Sequence, residues 1–142
     1  MPTWLKVLLI VFGVIVLVIG GLTAGIYVWW QNQGSALMSS IGEGTTFGKD
    51  KDRAACVDET VARIKKEGGF TAAVKVQLFF EECLKAAKPV AGFCDDVPPK
   101  SEMLKSATWL EQINRKHGLN GTYEVGLLAE IQKICDADAG RR

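Results

Sequence analysis

Residues 7–30, VLLIVFGVIVLVIGGLTAGIYVWW, carry no charge and are mostly apolar. No other feature constrains this chain as tightly. As a helix, this run is about 36 Å long, enough to cross a hydrocarbon layer of about 30 Å with some tilt. The apolar cores of secretory signal peptides are shorter, about 7–15 residues, and end near small residues. This run ends instead in Tyr27, Val28, Trp29 and Trp30. Trp4 precedes it, so Trp4, Tyr27, Trp29 and Trp30 bracket the run as interface anchors, where amphipathic rings settle at headgroup level. A retained signal anchor is therefore expected, with 1–6 as a short N-terminal segment.

Charge sets the expected orientation. Lys6 is the only charged side chain before Glu43, and on the far side the first basic residue is Lys49. The side richer in basic residues stays in the cytoplasm. The expectation is a single-pass inner-membrane protein with a cytoplasmic N-terminus and a periplasmic C-terminal domain. Within the run, Gly20, Gly21, Ala24 and Gly25 form two small-xxx-small pairs, and Gly13 lies on the same broad side. Such a groove lets a second helix approach closely. These five positions are the candidate transmembrane packing face.

Beyond the run the chain is nearly neutral: 16 of its 17 basic residues face all 16 acidic ones. Mixed signs give no electrostatic footprint for nucleic acid and no polybasic patch for anionic lipid. Membrane lipid and other membrane-protein subunits are the expected partners, with no evident small-molecule substrate. The four cysteines, Cys56, Cys83, Cys94 and Cys135, all follow the run. An even number in a small exported domain indicates disulfides. The expected pairing is Cys56–Cys135, joining the first and last helices, with Cys83–Cys94 stapling a helix end to the following loop. No two cysteines have the close spacing of a zinc site or of a Cys-x-x-Cys redox pair.

Residues 31–50 alternate glycine with serine and threonine and read as a flexible tether. Residues 51–138 read as a helical domain, with 139–142 as a tail. Apolar periodicity and capping signals place helices over 52–67, 71–87, 101–117, and from 120 or 122 to about 136. Residues 90–100 hold Gly92, Cys94, Asp95, Asp96, Pro98 and Pro99 and form a loop. The expected fold is all-α: one transmembrane helix, a flexible linker and a small, disulfide-stapled four-helix domain. Trp109 is expected in the core. Phe70 and Phe93, at helix ends, are the candidate partner contacts.

Little points to chemistry. His117 is the only histidine, and it falls in a helix's last turn, where positive charge is favoured. Glu81 and Glu82 point about 100° apart on a helix and form no shared site. No phosphate-binding loop, nucleophile elbow or metalloprotease motif occurs. No cofactor, metal or catalytic residue is assigned. The reading is a non-catalytic accessory subunit or adaptor of an envelope membrane complex. The alternatives are an anchored periplasmic sensor or small-ligand binder, and a membrane-anchored enzyme or thiol-redox factor.

Overall fold

The computed structural model describes Pro2–Gly121, Tyr123, Glu124 and 126–140. These residues form five helices and no strand: α1 (Thr3–Asp50), α2 (Arg53–Glu67), α3 (Gly69–Ala86), α4 (Met103–His117) and α5 (Ala129–Ala139). The chain divides into two compact units, Met1–Ala36 and Leu37–Arg142.

The first unit is the apolar part of α1. It is long and apolar enough to cross a membrane, and none of its apolar window is buried within the protein. Leu17 and Phe12 are 76% and 66% exposed, which is the inverse of a soluble helix's stripe. Thr23 returns its hydroxyl to the Ile19 and Gly20 carbonyls (2.9 and 3.0 Å). Its polar group therefore needs no solvent.

The second unit starts with the end of α1. Residues 37–50, expected as part of a tether, are instead helical and packed. Composition misled here because the glycines serve close approach rather than flexibility. Gly44 lies under the Phe79 backbone, and a Cβ at Gly48 would sit 2.5 Å from the Cys83 carbonyl oxygen. Only hydrogen at these positions lets α1 and α3 touch backbone to backbone. The Phe47 ring meets Phe79 at 5.8 Å between centroids, and Glu43 accepts from Arg63 (2.7 Å).

Asp52 caps α2, accepting from the Ala55 N–H (2.8 Å). The chain then reverses at Gly68 and Gly69, both at positive φ, so α2 and α3 form an antiparallel hairpin. The backbones meet again at its open end, where the Arg53 N–H donates to the Lys88 carbonyl (3.3 Å). Ile64, Phe79, Phe80, Leu84, Leu119 and Leu128 are at most 1% exposed and form the centre of the core.

Both disulfides form, but not in the expected pairing. Cys56 bonds Cys83 and Cys94 bonds Cys135, with Cα separations of 5.9 and 5.6 Å. Loop-closure entropy does not choose between pairings: each totals about 7.5 kcal/mol in that model. Tertiary position decides. The hairpin sets Cys56 opposite Cys83, and α5 brings Cys135 to the 90–100 loop.

The last helix also differs. It begins at Ala129, after turns at Tyr123, Glu124 and 126–128, and runs on through Ala139. Asn120 lies before it in irregular chain, and Thr122 is outside the described residues. Gln132 of α5 is 1% exposed and donates to the Pro98 carbonyl (3.1 Å) and to Ser106 Oγ (2.6 Å). One amide thus holds the loop, α4 and α5 together. Arg53 pairs with Asp138, tying the start of α2 to the end of α5.

Candidate interaction surfaces

On the first unit, the proposed packing face is smooth. A Cβ added at Gly13, Gly20, Gly21 or Gly25 would meet nothing within 4 Å, and Ala24 is exposed. Of the proposed interface anchors, Trp4, Tyr27, Trp29 and Trp30 are each more than half exposed. The Gln31 side-chain amide donates to the Tyr27 hydroxyl (3.0 Å), supplying that ring's polar tip with a partner.

On the second unit the two candidate contact residues part company. Phe70 is 64% exposed and meets Tyr123 edge to face, with centroids 5.7 Å apart. Phe93 is partly buried and packs against the core, as do Cys94 and Val97. The Cys94–Cys135 bond ties the next residue of that loop to α5. Trp109 is half-buried against the core. Met103 and Leu104, at the start of α4, are 80% and 87% exposed. They lie in the opening turn of α4, and Ser106 is the first buried residue of that helix.

Lys65 and Lys66 end α2, and Arg115 and Lys116 end α4. A Cβ at Gly118 would lie 3.4 Å from Lys65 Nζ, so these two helix ends meet. His117 lies in the last turn of α4. Burial, with Lys116 and Lys65 nearby, lowers its pKa against the opposing pull of Asp58. Position in a last turn alone argued for a cation; its surroundings favour the neutral ring.

Glu81 and Glu82 are paired rather than freely solvated. Glu81 accepts from Lys85 and Lys133 (both 2.9 Å), and Glu82 from Lys85 (2.8 Å). These bonds, Lys133 first, lower the Glu81 pKa. The network rims a groove of about 190 Å³ floored by Leu84, Ile134 and Ala137. Drug-sized ligands occupy about 300–1,000 Å³. A larger cleft of about 430 Å³ lies beside the Cys94–Cys135 bond. Among the described residues, no three His, Cys, Asp or Glu side chains are grouped to hold a metal ion.

No family model matches the chain, and neither a curated protein nor a solved structure is detectably similar to it.

Proposed function

We propose that this chain is a non-catalytic, single-pass protein of the inner membrane, acting as an accessory subunit or adaptor of an envelope complex. The N-terminus lies in the cytoplasm and the disulfide-bonded domain in the periplasm. One observation carries the reading: every large apolar side chain from Val7 to Trp30 that faces outward does so without a protein partner. Such a surface is stable in lipid and costly in water. Two disulfides and no free cysteine support an oxidising compartment. The face formed by Gly13, Gly20, Gly21, Ala24 and Gly25 is the site where a partner helix packs. Met103 and Leu104 offer a second contact on the domain.

Gentle detergent purification of the full-length chain, followed by mass spectrometry, tests the reading. A stoichiometric membrane partner that is lost in Gly21→Leu with Gly25→Leu is the expected result. Recovery of the uncleaved chain in the soluble fraction would defeat the anchor, and recovery as a lone monomer would defeat the adaptor.

A further inference from the structure

We infer that the Cys94–Cys135 bond is a thiol-exchange site. A dithiol protein of the Cys-x-x-Cys type opens and recloses it, and opening frees the 90–97 stretch while the rest of the domain stays folded. The inference concerns the second unit alone and does not depend on the anchored reading above.

The two disulfides differ in access. Cys56 and Cys83 are fully buried and join α2 to α3 inside the core. Cys94 is partly exposed, and both Cys94 and Cys135 line the cleft of about 430 Å³, whose other walls include Val97, Pro99 and Ala139. Exchange requires a thiolate to reach a sulfur, so a bond enclosed in a core is inert and one that lines a cleft is reactive. Cys135 is buried, which makes Cys94 the partner that is attacked.

The incoming thiolate forms a bond to Cys94 Sγ, the bond between Cys94 and Cys135 breaks, and Cys135 leaves as a thiolate. The second thiol of the dithiol then attacks its own partner sulfur in the mixed disulfide and releases Cys94. The two protons of the dithiol end on Cys94 and Cys135. Two electrons pass to this chain, which is reduced to two thiols while the dithiol protein is oxidised to its disulfide. The reverse sequence recloses the bond.

Local structure decides what opening releases. The backbone bonds of 90–97 are turns of the stretch on itself: Phe93 N–H donates to the Val90 carbonyl, Asp95 N–H to Gly92 and Val97 N–H to Cys94 (each 3.2 Å). Hydrogen bonds to other elements come at its borders, from the Lys88 N–H to the Lys51 carbonyl and from Gln132 to the Pro98 carbonyl (both 3.1 Å). Between those borders the covalent tie to α5 is Cys94, helped by the packing of Phe93 and Val97. The neighbouring elements keep their own attachments when it opens. Ile131 and Gln132 of α5 stay buried, Arg53 still pairs with Asp138, and α2 and α3 keep the Cys56–Cys83 bond.

The test uses the full-length chain in detergent micelles with excess reduced thioredoxin. Maleimide quenching at timed intervals and peptide mass mapping follow each cysteine. Cys94 and Cys135 are expected to become labelled at least about a hundredfold faster than Cys56 and Cys83, because the core bond must wait for the helix pair to open. Thioredoxin whose second active-site cysteine is changed to serine is expected to accumulate as a mixed disulfide on Cys94. In the selectively reduced chain, amide hydrogen exchange is expected to rise over 90–97 and to stay slow over 56–84, and reoxidation restores the protection. Cys94→Ala with Cys135→Ala, which needs no reductant, is expected to show the same exchange pattern with its helical circular dichroism retained. Reduction of both bonds together overturns the inference, as does a failure to trap Cys94 or a trap on any other cysteine. Unchanged protection over 90–97, or loss of helical signal when this bond alone is open, overturns it equally.

Discussion

Gly44 of α1 lies against the backbone of Phe79 in α3 so closely that a methyl group on Gly44 would collide with the Phe79 carbonyl. This contact converts a stretch with linker composition into part of a domain core. Gly44→Ala and Gly48→Ala are each expected to destabilise the domain by about 1–3 kcal/mol, because backbone must move to admit the Cβ. Gly42→Ala, whose Cβ would meet open space, is expected to stabilise α1 by up to about 1 kcal/mol through helix propensity. Denaturant titration of the three variants checks the contrast. Equal effects would mean that 37–50 is a tether after all.

The disulfide pairing predicts a peptide map. Proteolysis without reductant is expected to release one linked pair containing Cys56 and Cys83, and another containing Cys94 and Cys135. Replacing both members of a pair by Ala is expected to cost about 3.5 kcal/mol for the first bond and about 4 kcal/mol for the second. A peptide joining Cys56 to Cys135 would contradict the packing of α2 on α3.

Gln132 bridges the Pro98 carbonyl and Ser106 from a site with almost no water access. Gln132→Leu leaves both partners buried without that donor and is expected to cost about 1–3 kcal/mol. Adding Ser106→Ala should recover part of the loss, because one stranded polar group is then gone. A double-mutant cycle by thermal or urea unfolding measures the coupling, and strict additivity would remove the bridge.

Stability is expected to fall with acid in two stages. The folded state lowers the His117 pKa, chiefly by burial, so it disfavours the protonated ring. That contribution is complete above the unfolded pKa of about 6.5 and is lost as pH drops through the folded value. The carboxylates of Glu43, held by Arg63, and of Glu81, held by Lys133, also have lowered pKa values. Their contribution is present above the ordinary carboxylate range and disappears below it. Unfolding curves across pH 3–8 should show both stages, and His117→Gln should erase only the upper one. A profile unchanged by His117→Gln would show that the ring's surroundings do not distinguish its two forms.

The sequence alone determined what depends on local composition and periodicity. An uncharged apolar run of 24 residues, the Asp52 cap and the Gly68–Gly69 break are each readable within a few positions. Three of the domain's helices accordingly fall within about two residues of their expected starts and ends. Even the first disulfide left a trace: Cys56 precedes Gly68 by 12 residues and Cys83 follows Gly69 by 14, as residues opposite each other across an antiparallel hairpin do.

Only the tertiary structure decided the rest, because it depends on which surfaces meet. A glycine in a loose coil and a glycine under another helix's carbonyl look the same in one dimension, so Gly44 and Gly48 read as linker. Phe70 and Phe93 both follow a glycine, yet Phe70 is exposed and Phe93 packs against the core. Lys65 and Gly118 are far apart in the chain, yet folding sets the ends of α2 and α4 side by side. Burial, close approach and local field are properties of neighbours far apart in the chain, and folding alone chooses those neighbours.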